Sequence, residues 1–419
     1  MNRSLRVLLI GRHFWPHGSH DSAAALYQLA GGLARNNVHV EVVAPKHSVA
    51  WSDQCRLGGF VVRRPAVLPR RDWSFGRYTR HLASWLCQNA SGFDLMIADA
   101  MREEAAAMVE AAATLGCVSV VTAGDAGPQS DLAWSGRTRT AKKTWSVAAT
   151  ADRILTISAA GHRGLIAAGC PPDKIVRRKI GFESIPPTTP ERKAAARASL
   201  ADANSDLKTG PDTPVILCVG RMTRESGLRT VTENAYWMLS RYPAAKLWLI
   251  GDGPAREAMH QDLKSDGVRS AIAMPGSFTT LADVYAAADL FVQADASGLG
   301  YFLPTAVAHE LPVVVAESAE YRDLLSSAAT QADDAVAWFS VPDRSGPVDV
   351  GGRASVNAGH KSFRDAVKRQ MDRLEIAKSA ARIHHRGLIR RSPYQAVLDQ
   401  ILGLGDQLAG ATRTQRKAE

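Results

Sequence analysis

The residues of this chain best placed to do chemistry are glycines at the ends of apolar runs. The most developed case lies within Ala288 to Ala316, ADLFVQADASGLGYFLPTAVAHELPVVVA. Asp289 closes one helix, and Leu290 to Val292 reads as an apolar strand. Gly298 and Gly300 loosen the turn that follows. Leu303 to Glu310 can form about two helical turns, and Leu311 to Val315 is a second buried strand. A glycine loop opening a helix presents backbone N–H groups and the positive end of a dipole, where a phosphate or a ribose can sit. Taken alone, the loop fits equally well an ordinary strand–helix–strand corner whose glycines serve only the turn. Comparable loops follow other strands: Gly11 to Asp21 with Pro16, His17 and Gly18, then Gly220 to Gly227, then the tight turn Gly251-Asp252-Gly253-Pro254.

Other chemistries find less support. The five cysteines (Cys55, Cys87, Cys117, Cys170 and Cys218) are scattered and never in CxxC spacing, so neither a disulfide framework nor a zinc site follows, which suits a reducing cytosol. Twelve histidines are dispersed, and the one adjacent pair, His384-His385, sits in a basic stretch, so no metal site is expected. No window approaches the ~18 apolar residues of a spanning helix. The first apolar run ends at Arg12 and His13, which makes it a first strand rather than a signal peptide. The expected location is therefore cytoplasmic, with peripheral attachment at the inner face of the membrane where basic residues meet anionic lipid.

That attachment has a candidate. The net charge is +10, and six arginines fall between Arg63 and Arg80 with Trp73, Phe75, Tyr78 and Trp85 interleaved. A cationic, aromatic helix over Arg63–Trp85 suits an anionic membrane surface. Single-stranded nucleic acid is the other fit, but no nucleic-acid recognition motif accompanies it. A solvated helix that packs its aromatics on the domain is the plain alternative.

The elements that would position these loops repeat twice. Leu5–Ile10, the helix Ser22–Arg35 and the strand Val38–Ala44 form a βαβ opening, which implies a parallel sheet with ligands at the carboxyl ends of its strands. Strands follow at Phe60–Arg64, Asp94–Ala98, Val118–Thr122, Ala151–Ser158 and Ile175–Gly181. A Pro-, Thr-, Ala- and Lys-rich stretch carrying one short helix follows, and the pattern restarts at Pro214–Val219. The expected division is an N-terminal domain over 1–183, a linker over 184–213, and a C-terminal domain over 214–390. A C-terminal helix over 391–410 would return to the first domain, and 411–419 would be a disordered tail. The fold class is α/β, with two Rossmann-like domains facing each other across a cleft.

A family resemblance rests on motifs spread over residues 5 to 330. Ala151-Asp152-Arg153 through Ser158, Leu165-Ile166, Gly169 and Pro172-Asp173-Lys174-Ile175 resemble the "ADRVIAVS…LIxxGxPxxKI" run of GT-B retaining glycosyltransferases of the family 4 type. Val219-Gly220-Arg221, Leu249 to Pro254, Tyr285 to Val292 and Leu311-Pro312-Val313-Val314 are similar to the C-terminal domain of that family, in order and at its spacing. The resemblance implies a GT-B fold and a nucleotide-diphosphate sugar bound by the C-terminal domain as donor substrate. It also implies an acceptor, of unknown identity, at the N-terminal domain, and transfer with retention. No cofactor or metal is implied: arginine, lysine and helix N–H groups can carry the charge of the leaving diphosphate.

Carried over residue by residue, the resemblance puts the diphosphate arginine on Arg221 and its lysine partner on Ser226, with Arg224 near enough to substitute. The family's pair of glutamates eight positions apart falls on Ser297 and Thr305, beside Gly298 and Gly300. Each replacement forfeits about 1–2 kcal/mol of a charge-assisted bond. Glu310 stands where glycine is usual. Histidine-bearing strand ends fall on Asp99 and near Gly124-Asp125, leaving Asp99, Asp125 and His20 as candidate catalytic polar groups. Gly18 and Gly181 complete the expected substrate contacts. These departures leave two readings beside an active transferase: a non-catalytic GT-B protein acting as partner or scaffold, and a basic lipid-surface binder.

Overall fold

Short β-branched and leucine-rich runs build two parallel sheets. In the first, β1 (Arg6–Ile10), β2 (His39–Val43), β3 (Gln54–Leu57), β4 (Phe60–Arg63), β5 (Leu95–Ala98), β6 (Val118–Ala123), β7 (Arg153–Thr156) and β8 (Ile175–Arg177) are ordered 3-4-2-1-5-6-7-8. In the second, β9 (Val215–Val219), β10 (Lys246–Ile250), β11 (Ile272–Gly276), β12 (Leu290–Gln293), β13 (Val313–Ala316) and β14 (Val336–Phe339) are ordered 11-10-9-12-13-14. The computed structural model describes residues 5–416 apart from 17–18, 70–71, 125–129, 295–298, 327–329 and 342–349. Of the expected site residues, Gly18, Asp125, Ser297 and Gly298 lie outside the described residues.

Contacts divide the chain into two units. The first comprises residues 1–15, 25–179 and 395–419, and the second 16–24 and 180–394. The central strands of both sheets are buried on both faces, as in parallel sheets generally, and read as continuous apolar runs such as Val215-Ile216-Leu217-Cys218-Val219. Except for the antiparallel pair β3–β4, every pairing is parallel.

One device recurs at the strand starts. The aspartate immediately before a strand accepts the backbone N–H of the residue opposite it on the neighbouring strand. Asp94 takes Arg6 at 3.0 Å, Asp152 takes Ser119 at 2.8 Å and Asp289 takes Val215 at 2.9 Å. These are donors that the parallel ladder leaves over, so each aspartate both satisfies the sheet end and fixes its register.

Several expectations change. Residues 184–213, expected as a linker, belong to the second unit and carry the helix Pro190–Ala203, capped by Thr189 with proline at its first position. Lys193 and Arg197 from that helix converge on Asp289, which Lys378 also reaches at 2.8 Å. Arg197 further donates to the carbonyls of Ala287, Gly210, Pro211 and Thr213, so this half-polar segment is bolted to the sheet end. The strand β3 was not expected. It forms a hairpin with β4 through Gly58-Gly59, both at positive φ. A long helix, Val350–Met371, follows β14. The last helix, Gln395–Arg416, groups with the first unit and continues well into the stretch expected to be a disordered tail.

Candidate functional site

The loop after β9 is held by two glycines of the turn after β10. A Cβ on Gly251 would lie 1.9 Å from the carbonyl oxygen of Gly220, and one on Gly253 would lie 2.2 Å from that of Met222. Gly251 also sits at φ 140°, which L side chains rarely adopt. Backbone bonds from Gly220 to Ile250, from Met222 to Asp252 and from Ala255 to Met222 close the two loops onto each other at 3.0 Å each. Met222 is fully buried as the anchor, and Arg221 beside it projects exposed. Its Nη1 lies 2.7 Å from Nε2 of His20. A guanidinium only donates, so this His20 nitrogen accepts and the ring proton belongs on Nδ1. Arg224 is exposed, and Ser226 turns its hydroxyl back to the Thr223 carbonyl at 3.0 Å.

The glycine corner after β12 is occupied in an unexpected way. Asp21 accepts from the backbone N–H groups of Gly300 at 2.7 Å, Tyr301 at 2.9 Å and Phe302 at 2.7 Å, using both carboxylate oxygens. These donors open the short helix Phe302–Ala308. Thr305 lies buried in that helix with no hydrogen-bond partner for its hydroxyl among the described residues. One turn on, the His309 ring stacks on Tyr285 with centroids 5.6 Å apart. Burial, reinforced by Arg192 and His385, pushes the His309 imidazole down to about 4, so it is neutral at ordinary pH. Glu310 then ends the helix at φ 57°, with Glu310 N–H to Val307 and Leu311 N–H to Ala306. That is a Schellman ending with glutamate in the glycine position.

In the first unit Asp99 sits at the carboxyl end of β5, in a recess it shares with Thr122, Leu155, Arg178 and Ile401. The neighbouring strand ends are tied by Asp131, which accepts from Met101 N–H at 3.0 Å and Gly124 N–H at 2.7 Å and pairs with Arg102 at 3.1 Å. Arg12, after β1, is buried between Glu103 and Glu104, and Tyr78 donates to Glu104 at 2.9 Å. Burial weighs against the Arg12 charge, but Glu104 and Glu103 outweigh it and its pKa rises. Sequence reading missed Asp21, Asp131 and this cluster. Asp131 alone left a local trace, since Ser130 before it caps the helix Asp131–Ser135. Gly181, an expected substrate contact, lies close against the chain at 393–394: a Cβ would lie 2.6 Å from the Tyr394 Cα. The structure thus brings His20, Arg221 and Gly300 together in the second unit, through Asp21 beside His20, and Asp99 lies in the first.

Family models now meet this geometry. Residues 213–340 match the model of glycosyl transferases group 1, and residues 22–181 match the glycosyl transferase 4-like domain. The chain belongs to the family 4-type GT-B glycosyltransferases. The matched segments hold Arg221, Gly300 and Thr305 in one and Asp99 in the other. Two lipopolysaccharide core biosynthesis glycosyltransferases of Rhizobium meliloti (strain 1021) are similar over part of the chain. LpsE is 31% identical over 113 residues, 27% of this chain and 32% of LpsE, and LpsD is 31% identical over 97 residues, 23% and 27%. These matches span at most about a third of either relative's length. Among solved structures, Anabaena Alr3699/HepE in complex with UDP and glucose superposes with a TM-score of 0.69 at 15% identity, over 95% of this chain and 98% of that one. Sucrose-phosphate synthase from Thermosynechococcus elongatus gives 0.70 at 15% identity, over 97% and 100%. At that identity the likeness establishes the GT-B fold.

Among the described residues no helix is long and apolar enough to cross a membrane, and no group of three or more His, Cys, Asp or Glu side chains is placed to hold a metal ion.

Proposed function

We propose that this GT-B protein transfers a glycosyl group, with retention, from a nucleoside-diphosphate sugar held by its second unit to a hydroxyl-bearing acceptor. The observation that carries the reading is the locked loop after β9. Gly251 and Gly253 fix its backbone, and Arg221 reaches His20, whose neighbour Asp21 is held by the 300–302 N–H groups. Such a set suits a leaving diphosphate, whose charge grows as the glycosidic bond breaks. Support comes from the structural neighbour that binds UDP and glucose and from the related lipopolysaccharide core transferases. The buried Thr305 hydroxyl, without a partner among the described residues, is suited to a ligand hydroxyl rather than to a charge. Arg224 and Ser226 stand in the same loop as secondary contacts, and Asp99 is the candidate polar group of the first unit.

The test is incorporation of labelled sugar from UDP-, GDP- and ADP-sugars into cell-envelope saccharide. Transfer from one donor, reduced at least about tenfold by Arg221→Ala through loss of a charge-assisted contact, is the expected result. Nucleotide binding without transfer from any donor would favour the non-catalytic reading.

The surface-binding proposal changes form. In the helix Asp72–Asn89, Tyr78 is buried and Phe75 and Trp85 pack on the core, whereas Arg77 and Arg80 are exposed. Arg63 is committed to Glu41, and Arg64 is buried against the Trp15 carbonyl at 3.0 Å. Attachment to an anionic membrane through this helix would therefore be electrostatic, with Phe75, Tyr78 and Trp85 held on the domain rather than inserted. Sedimentation with anionic liposomes should show binding at low salt that is largely lost near physiological ionic strength. Binding indifferent to salt, or none at low salt, contradicts it.

A further inference from the structure

The side chains of two consecutive residues occupy both parts of the proposed diphosphate site. His20 meets Arg221 at 2.7 Å, and Asp21 fills the N–H groups of Gly300, Tyr301 and Phe302 with both oxygens. The three distances are those of charge-assisted bonds. The Asp21 carboxylate is an oxyanion like a phosphate but is covalently part of the chain. A donor N–H pointed at one anion cannot serve another at the same time. The contact is also more than a local cap, because Asp21 lies in the first turn of its own helix, Asp21–Arg35.

The geometry points to Asp21 as an internal anion that competes with the donor's phosphates, an autoinhibitory contact that must let go before a nucleoside diphosphate is bound. This inference rests on the donor-site reading above. It makes the affinity for donor a difference between two anions at one set of N–H groups. Removing Asp21 should strengthen binding, whereas removing a residue that contacts the substrate weakens it.

The experiment is calorimetric titration of wild type, Asp21→Asn and Asp21→Ala with UDP, GDP and ADP, and with the corresponding nucleosides. Thermal melts establish that each variant is folded. Asparagine keeps the shape and one accepting oxygen, so it guards against simple loss of the helix cap. The expected result is that the diphosphate bound best by wild type binds Asp21→Ala about tenfold more tightly or better. Asp21→Asn should be intermediate, and nucleoside affinity unchanged. Equal or weaker diphosphate binding by two folded variants overturns the inference and leaves the donor reading standing. An equal gain for nucleosides overturns it too, since phosphate competition would not produce one. If neither wild type nor variants bind any diphosphate, the donor reading fails and the inference with it.

Discussion

Replacing Arg12 by methionine would leave Glu103 and Glu104 buried side by side with no cation between them. Both carboxylates are nearly inaccessible, and burial already pushes Glu103 up despite Arg12. Breaking such a pair from one side costs about 3–5 kcal/mol. Urea unfolding of Arg12→Met at pH 7 should show that loss. The deficit should shrink toward pH 5, because protonating the carboxyls removes the uncompensated charge. A loss below 1 kcal/mol, or one indifferent to pH, would mean the cluster is not a coupled unit. The sequence displays Arg12 only as the end of an apolar run, and nothing local announces its partners, which lie 91 and 92 residues on. Asp21 was illegible for the same reason: its acceptor role depends on N–H groups about 280 residues away. Glu310 was the opposite case. Its place in the motif marked a glycine position, and the backbone there has the positive φ that glycine accommodates without strain.

Among the elements, the helix Pro190–Ala203 shows how composition can mislead. The stretch around it, rich in proline, threonine and lysine, reads as a linker with one short helix, yet Lys193 and Arg197 fasten that helix to Asp289 just before β12. Burial raises the Asp289 carboxyl, but Lys193 and Lys378 outweigh it and hold it below the usual range. A carboxyl depressed on folding contributes stability that is complete above its unfolded value of about 3.9 and is lost as pH falls through the folded one. Asp289→Asn keeps one acceptor, enough for the Val215 N–H, and removes the charge and the second accepting oxygen. It also turns an amide NH2 group toward the Lys193 and Lys378 ammonium groups, so it should destabilise by about 3 kcal/mol at pH 7 and raise hydrogen exchange across 190–203, with the gap to wild type narrowing below pH 4. Unchanged exchange in that helix would show the clamp to be incidental. The parallel strands themselves were legible, because a strand buried on both faces writes its apolarity into consecutive residues. The hairpin of β3 and β4 was missed, although Gly58-Gly59 is a turn signal, because Gln54–Leu57 carries polar residues and lies at the sheet edge.

For the molecule as a whole, the ordered motifs from Ala151 to Val314 conveyed the fold and family, since each marks a strand end or helix boundary that GT-B domains require. They could not convey how the donor corner is filled. Ser297 and Thr305 are neutral residues, and the 300–302 N–H groups are met by the carboxylate of Asp21. The account therefore rests on the proposal that the second unit still binds a nucleoside-diphosphate sugar through Arg221. The most direct test is calorimetric titration of wild type and Arg221→Ala with UDP-, GDP- and ADP-sugars. The account predicts binding of at least one donor by wild type, weakened about tenfold or more by the substitution. Failure of every donor to bind wild type at millimolar concentration, or binding that Arg221→Ala leaves unchanged, would contradict it.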